Sequence, residues 1–329
     1  MPIFRILEGN TAGKMDQEPF EIFDPHFHIW DVSEGGHAHN TVLGPVNGNE
    51  CFDIKLYEAD LDKVPKEFQH AGGVFLEAAS VLDVDIEGPE HQKKCLQEAE
   101  WAIRNIAANS RRKYVYVPSA CLEDPNVETT LQQLSTLNPK IRGIRQILNH
   151  EPSWPRNAKL GNLLENPEFC KGYSQLAKFD LSFDAQLNPS QFELAAKLFT
   201  EHPSVPVIIN HLGTPTLADL TEEKQRFWSG METFAALPHV SIKISMLGYI
   251  DKKWNENEVV KDAVHRIINL FGIDRCMVAS NHPSDLTDQN WTPYSNYEAF
   301  RQLFDKLSIS KEDQRKLFAT NAKRIYRVR

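Results

Sequence analysis

Apolar stretches of strand length alternate along this chain with longer stretches in which apolar residues recur at helical spacing. Eight stretches are rich in β-branched or aromatic residues, and they are 20–24, 72–79, 114–120, 141–148, 181–187, 205–210, 240–247 and 275–280. Repeated strand–helix alternation with apolar strands is typical of a parallel sheet covered by helices. Eight repeats predict an α/β fold of the (β/α)8 TIM-barrel type.

The starts of two helices support this prediction. Asn166 is an N-cap residue followed by Pro167 at the first helical position, where the missing N–H of proline costs nothing. Ser295, with Glu298 three residues later, makes a capping box before a C-terminal helix. A doubly wound open sheet is the alternative fold, but it calls for a G-x-G-x-x-G turn after an early strand, which the sequence lacks.

The chain reads as one domain with one long insertion. It has no repeat period and no linker rich in proline, glycine or serine, so we predict a single domain over 1–329, with the barrel at about 20–327. The stretch 31–66, which contains EGGHAHNTVLGPVNGNE, is a long loop after the first strand that distorts the regular barrel pattern. We expect this insertion to lie over the C-terminal mouth, where the active sites of such barrels lie.

Charge and cysteine content narrow the class of protein. The formal net charge of −9 disfavours binding to nucleic acid or to an anionic membrane surface. Five cysteines without pairing spacings indicate reduced thiols in a cytoplasmic protein. No window approaches the ~20 apolar residues of a membrane helix, and the N-terminal stretch lacks the apolar core of a signal peptide. We therefore expect a cytoplasmic protein that binds neither nucleic acid nor a membrane. Whether it forms a homo-oligomer stays open.

Three histidines are candidates for an active site. In FDPHFHIW, His26 and His28 share one face of the first strand, which is the lumen at the end of a barrel strand. Two imidazoles there can hold a metal ion or bind a substrate oxyanion, although two solvated loop histidines would look the same in sequence. His211 ends the apolar strand of VPVIINHLGTP, where the alternative is a core histidine bonded to a backbone carbonyl.

The order of these motifs resembles that of the family-2 amidohydrolases. HxH on the first strand, INHLG on the sixth and ASNHPSD after the eighth are similar to the branch with sugar-acid lactonases and the 2-pyrone-4,6-dicarboxylate lactonase. The segments RGIRQIL, VSIKIS and LFATNAKRIY are also similar to segments of this family, so that the resemblance runs from about Phe20 to Tyr326. It implies a distorted (β/α)8 barrel and the hydrolysis of a small molecule.

The resemblance also implies catalytic roles. His26 and His28 match the first-strand pair, and His211 matches the histidine that helps to polarise the scissile carbonyl. Asn281 stands where the superfamily usually carries a catalytic aspartate. Because an amide cannot accept a proton from water as a carboxylate does, we expect Asp285, four residues later, to be the general base.

The resemblance leaves two options for a cofactor. Two-metal members carry a lysine or glutamate on strand four and a histidine on strand five, where this chain offers Arg145 and then Asp184 and Gln186. We therefore expect at most one divalent ion, such as Zn²⁺, held by His26, His28 and a third group. The alternative is a metal-free site in which the histidines and an arginine stabilise the oxyanion.

Other polar residues lie in or after apolar strands and are candidates for substrate binding. Glu77 and Arg145 either form a buried ion pair or, in the case of the arginine, capture a substrate carboxylate. Lys243 interrupts the seventh strand, and Gln186 can hydrogen-bond a hydroxylated substrate. His282, after the eighth strand, is expected to line the mouth.

The leading prediction is a hydrolase that opens a small carboxylated or hydroxylated lactone by attack of water on the ring carbonyl. A metal-dependent decarboxylase on the same barrel is the alternative enzyme. A catalytically retired barrel that serves as a binding or scaffold protein is the alternative of another class. Asn281 argues for that last alternative, whereas the three histidines argue against it.

Overall fold

A computed structural model describes residues 18–39, 41–78, 88–150 and 160–329. Within them, eight parallel strands follow one another around a barrel. Their bounds are Phe20–Phe27 (β1), Phe68–Leu76 (β2), Lys113–Val117 (β3), Gly143–Ile147 (β4), Ser182–Gln186 (β5), Val207–Ile209 (β6), Val240–Ile244 (β7) and Cys276–Val278 (β8). Each strand overlaps one of the eight predicted stretches, so the strand prediction is confirmed.

The strands form two sheets that meet at two seams. Strands β1 to β3 make one sheet and β4 to β8 the other. A parallel bridge between Ser119 and Arg145 joins the end of β3 to β4. At the other seam, Asn281 N donates to His26 O over 2.9 Å, which joins the end of β8 to β1. The predicted α/β barrel is therefore confirmed, with regular pairing interrupted at the two seams.

Helices alternate with these strands. Their bounds are Ile54–Leu61 (α1), Gly88–Asn109 (α2), Val127–Leu137 (α3), Pro167–Gln175 (α4), Phe192–Glu201 (α5), Leu217–Thr221 (α6), Lys224–Ala236 (α7), Glu258–Phe271 (α8), Ser284–Gln289 (α9), Pro293–Lys306 (α10), Lys311–Arg315 (α11) and Asn321–Ile325 (α12). Helix α8 shows why they form, since Val260, Val264, Ile267 and Phe271 lie on one buried face at helical spacing.

The two predicted helix starts had different outcomes. Asn166 caps α4, because its side chain accepts a hydrogen bond from Glu168 N at 3.0 Å. The predicted cap at Ser295 is wrong, because Thr292 caps α10 and accepts from Ser295 N at 3.1 Å. Pro293 takes the first helical position there, where its fixed φ angle is already helical.

An apolar layer fills part of the barrel interior. It combines Val74 of β2, Ile208 of β6 and Met277 of β8 with Tyr326, which follows α12. Strands on opposite sides of the ring contribute to this one cluster, so these side chains face the lumen. Strand register then places polar side chains on the same face: Ile208 pairs with Asp184, and Met277 pairs with Lys243. Polar side chains therefore share the lumen with this apolar cluster.

The predicted insertion contains a short hairpin and helix α1. Trp30–Asp31 pairs antiparallel with Cys51–Phe52, and α1 follows at once. Tyr57 of α1 donates from its hydroxyl to Asp24 Oδ2 over 2.9 Å, which ties the insertion to β1. The domain bounds, and the place of 31–66 over the mouth, stay predictions. None of the described helices has the length and apolar character needed to cross a membrane.

Candidate active site

The structure brings the three candidate histidines together. His26 lies at the end of β1, His28 directly follows this strand, and His211 lies two residues after the end of β6. The ring centroid of His26 is 4.9 Å from that of His28 and 4.4 Å from that of His211. Each of the three residues is at most 3% exposed. Residues from opposite sides of the ring therefore form one buried imidazole cluster at the carboxyl ends of the strands.

His26 lies between two cationic side chains. Arg145 Nη1 is 3.4 Å from His26 Nε2, and Lys243 Nζ is 3.3 Å from His26 Nδ1. Burial, followed by the charge of Lys243, holds the pKa of His26 well below its usual value. The ring is therefore neutral near pH 7, with one N–H and one lone pair.

The other two histidines are also neutral near pH 7. His28 Nδ1 donates to Leu76 O over 3.0 Å, which leaves the lone pair of its ring on Nε2. Burial lowers the pKa of His28 to about 3. His211 Nδ1 is 2.9 Å from Ser245 Oγ, and burial holds the pKa of His211 well below its usual value. A serine hydroxyl can donate or accept, so His211 can present either an N–H or a lone pair at Nε2.

Arg145 is held by protein partners on three sides. Its Nε donates to Glu77 Oε1 and its Nη2 donates to Glu77 O, each over 2.6 Å. Its Nη1 donates to Gln186 Oε1 over 2.9 Å. The ion pair that the sequence offered as one alternative for Glu77 and Arg145 is thus present. The pair fixes a guanidinium beside the histidine cluster.

Lys243 is the second fixed cation. Its Nζ donates to Asp184 Oδ1 over 2.6 Å, and both side chains are fully buried. The same oxygen accepts from Asn210 Nδ2 at 3.0 Å and from the Tyr326 hydroxyl at 2.7 Å. Burial nevertheless lowers the pKa of Lys243 to about 8. Sequence reasoning missed the pairing with Asp184, although alternation places Asp184 on the face of Gln186.

The candidate general base is connected to the histidines through an amide. Asn281 Nδ2 donates to Asp285 Oδ1 over 2.7 Å, and the Asn281 side chain also raises the pKa of His28 through a hydrogen bond. Asp285 is 2% exposed in the first turn of α9, and burial raises its pKa to about 8. Asp285, Asn281 and His28 therefore form a continuous polar chain.

His282 meets the cluster through its backbone, because His28 N donates to His282 O over 2.8 Å, whereas its side chain has other partners. Its Nε2 is 3.1 Å from Asp60 Oδ2 of α1, and its ring lies 5.4 Å from that of Phe52 and 6.2 Å from that of Tyr57. These contacts are with the segment 31–66. The role of His282 in substrate binding stays a prediction.

Left-handed backbone is concentrated at the ends of strands β6, β7 and β8. His211, Leu212 and Thr214 have φ of 56°, 53° and 46°, Met246 has 60° and Asn281 has 50°. Residues other than glycine adopt this conformation rarely and at a cost, and they do so mostly at functional sites. The turns that hold His211 and Asn281 are therefore strained and held by the surrounding contacts.

A pocket of about 410 Å³ opens beside His211. This volume suits a small ligand. Its lining includes Asn149, Asn188, His211, Thr214, Arg226 and Tyr249. A larger groove of about 560 Å³ lies along α5 and α7 on the outer surface, and none of the three histidines is in its lining. The pocket beside His211 is therefore the candidate substrate site.

Asn149 is a pocket residue that sequence reasoning missed. It lies just beyond β4 and is fully buried. Its Nδ2 donates to Asn188 Oδ1 and to Thr214 Oγ1, each over 2.9 Å. No donor among the described residues reaches Asn149 Oδ1. A polar residue directly after an apolar strand was the signal that could have identified it.

The predicted ion on His26 and His28 does not fit this arrangement. His26 has a single lone pair when neutral, and both ring nitrogens face cations, namely Arg145 and Lys243. A divalent ion bound to His26 would have to displace one of these charges and would be repelled by both. The surroundings of His26 therefore suit negative charge.

Comparison with known proteins gives the family. A family model described as "Amidohydrolase" (Amidohydro_2) matches residues 23–328. The uncharacterized protein y4mH of Sinorhizobium fredii is 30% identical, and the match covers 93% of this chain and 98% of that protein. The L-rhamnono-gamma-lactonase of Scheffersomyces stipitis is 22% identical, with 94% and 99% covered.

Solved structures agree in fold. An amidohydrolase from Burkholderia multivorans with bound zinc has a TM-score of 0.70 at 17% identity, covering 94% of this chain and 99% of that chain. A probable 2-pyrone-4,6-dicarboxylic acid hydrolase from Acinetobacter baumannii has a TM-score of 0.67 at 16% identity, covering 93% and 98%. A 2,6-dihydroxybenzoate decarboxylase from Rhizobium has 0.61 at 16%, covering 94% and 99%. The resemblance predicted from the sequence motifs is confirmed, and the chain belongs to the amidohydrolase family, which is a family of enzymes.

Proposed function

We propose that this protein hydrolyses small hydroxylated lactones by attack of water on the ring carbonyl. The observation that carries the proposal is the position of His26 between Arg145 and Lys243. Attack on a lactone carbonyl places negative charge on its oxygen, and fixed positive groups beside that oxygen stabilise the transition state. The lactonase among the relatives supports the same class of reaction.

His211 is suited to polarise the carbonyl. When Ser245 donates to its Nδ1, the neutral ring presents an N–H at Nε2, and His211 lines the pocket. Arg145 and Lys243, one at each ring nitrogen of His26, supply the positive charge that stabilises the developing oxyanion. Loss of one such donor typically costs about 10²–10³-fold in turnover.

The proton of the attacking water is assigned to Asp285, which returns it to the ring oxygen when the bond between that oxygen and the carbonyl carbon breaks. Asn281 holds this carboxylate and also contacts His28, which fixes the base relative to the histidine cluster. The raised pKa of Asp285, about 8, makes its ionised form a stronger base than an ordinary carboxylate. Asn281 thus serves as a positioning residue where the superfamily usually has an aspartate.

The pocket lining favours hydroxyl groups on the substrate. Nothing in the described part of the chain donates to Asn149 Oδ1, which lies at the pocket next to the amide of Asn188 and the hydroxyl of Thr214. Arg226 lies between two carboxylates, 3.1 Å from Asp219 and 2.7 Å from Glu223, so this part of the pocket lining carries net negative charge. Neutral donors and acceptors bind sugar hydroxyls, whereas a carboxylate would call for an uncompensated cation.

The proposed reaction uses the chain's own side chains. Amidohydrolases are generally metal-dependent, and one structural neighbour contains zinc. In this chain, however, the His26 ring faces two cations, and no step of the reaction uses an ion on His26 and His28.

The test is hydrolysis of a panel of sugar lactones and pyrone carboxylates by chelator-treated protein. Hydrolysis is measured by the release of acid. We expect turnover of hydroxylated lactones, and its loss by about 10²–10³-fold in His211→Ala. His265→Ala, an exposed residue of α8, is the matched control. Metal-dependent release of CO₂ from aromatic carboxylates would favour the decarboxylase instead. No turnover of either class would favour a scaffold protein.

A further inference from the structure

A second buried cluster of metal-ligating side chains lies outside the candidate active site. His91, Cys95 and Cys121 have ligand atoms that all lie within 4.8 Å of one another. Each residue is at most 3% exposed. We propose that these three side chains bind one Zn²⁺ ion.

Two elements of the fold bring the cluster together. His91 and Cys95 are four residues apart on α2, so they lie one above the other on one face of the helix. Cys121 comes from the loop after β3. Its Sγ is 2.9 Å from His91 Nδ1. The ligands therefore converge from two separate segments of the chain.

The donors match the chemistry of zinc. Zn²⁺ prefers tetrahedral sites made of thiolate and imidazole, and three protein ligands leave one position for water or a further group. On binding, the ion replaces the protons of two thiols, and these two protons are released to solvent. Two thiolates balance the double positive charge, so the buried cluster stays neutral and avoids the cost of an unpaired buried charge.

The backbone at Cys121 is held in place without any ion. Gln92, the neighbour of His91, donates from Nε2 to Cys121 O over 3.0 Å and accepts from Cys121 N at 3.1 Å. The next residue, Leu122, donates from its N to Gln146 Oε1 over 3.0 Å. These bonds fix Cys121 against α2, which lowers the ordering cost of binding a metal.

The cluster is distinct from the histidine site and shares no residue with it. It is nevertheless connected to that site through the loop after β3, because Ser119 forms a backbone bridge with Arg145. A bound ion would therefore brace this loop against α2, close to the strand that carries a cation of the active site.

The experiment uses the full-length, reduced and chelator-treated protein. Cadmium is titrated while the thiolate-to-metal charge-transfer absorption is recorded, and zinc affinity is measured by competition with a chromophoric chelator. We expect one equivalent bound by two thiolates. Cys95→Ser and Cys121→Ser should each lose the charge-transfer band of the two-thiolate site, and His91→Ala should weaken zinc binding.

Matched variants locate the ion. Cys276→Ser removes a buried cysteine of β8 outside the cluster and should leave binding unchanged. His28→Ala removes a histidine of the candidate active site, and this variant should still bind one equivalent of zinc. Gln92→Ala should weaken zinc affinity by about 10–100-fold, as expected for a residue that orients a ligand.

Several results would overturn the proposal. These are a wild-type chain that takes up no metal, a band that survives in Cys121→Ser, or a Cys95–Cys121 disulfide in protein isolated without reductant. If a variant does not fold, alkylation of the wild-type thiols decides. Zinc should then protect Cys95 and Cys121 but not Cys276 in mild denaturant, and equal rates with and without zinc would reject the site.

Discussion

Two buried clusters of this barrel each contain a histidine, but the side chains around the histidine differ. His26 lies between Arg145 and Lys243, whereas His91 lies beside the thiols of Cys95 and Cys121. Both histidines are shielded from water, with exposures of 0% and 3%. One residue type therefore occupies two opposite electrostatic settings within the same fold.

The neighbours, more than the histidine, decide which ion each cluster can take. Guanidinium and ammonium groups only donate, so beside His26 they stabilise a developing anion. Thiols lose their protons and then bind a cation, so beside His91 they favour zinc. An HxH motif at a barrel mouth is thus insufficient evidence for a metal site, because the side chains that face it come from distant strands.

The largest expected effect is a loss of turnover at the candidate active site. Asp285→Asn should lower kcat on a working lactone by about 10²–10⁴-fold, because it removes the proton acceptor and keeps the shape of the side chain. Circular dichroism and Tm check that the fold is intact. Asp262→Asn, on the exposed face of α8, is the control. Turnover near that of the wild type would show that Asp285 is only a structural residue.

The next effect concerns stability at the same cluster. Lys243→Met should lower the free energy of unfolding by about 3–5 kcal/mol, because it leaves the carboxylate of Asp184 buried without its cation. The double variant with Asp184→Asn should recover part of the loss. Urea denaturation measures both variants. As the control, Lys171→Met breaks an exposed ion pair with Glu168 and should lower the free energy of unfolding by less than about 1 kcal/mol. Equal losses in the two variants would contradict the expected difference between a buried and an exposed ion pair.

The pH dependence sharpens the assignment of charges. The base form of Asp285 appears above its raised pKa of about 8, and the charged form of Lys243 disappears above its lowered pKa of about 8. Turnover should therefore peak near pH 8 and fall by roughly tenfold per pH unit on either side. Arginine stays charged at this pH, so the turnover of the Lys243→Arg variant should not fall above pH 8. A profile that is flat through pH 8 would remove both groups from the mechanism.

The smallest effect on turnover is expected from metal removal. A chelator should strip zinc from the cluster of His91, Cys95 and Cys121 and lower Tm, while kcat on a working lactone stays unchanged. Adding zinc back should restore Tm. If turnover falls with the chelator and returns with zinc, either the two clusters are coupled through the loop after β3 or the histidines of the active site need an ion; loss of the effect in Cys121→Ser would indicate the coupling.

The sequence alone determined the barrel and the convergence of its histidines. Strand length, alternation and strand count are local properties, so all eight strands were predicted, and alternation placed His26 and His28 on one face. Parallel strands bring their carboxyl ends to the same end of a barrel, which explains why His211 joined them. Helix caps were less certain, because Thr292 and Ser295 are both suitable N-cap residues and proline at 293 favoured the first.

Only the tertiary structure decided what each polar side chain faces. The contact of Lys243 with His26 spans 217 positions, and that of Tyr326 with Asp184 spans 142. No local pattern encodes such pairs, since they depend on strand register and on the angle at which each side chain enters the lumen. For the same reason Cys121 could not be assigned to His91 from spacing. Periodicity sets the face of a residue, and packing of distant segments sets its partner and hence its charge, its pKa and its chemistry.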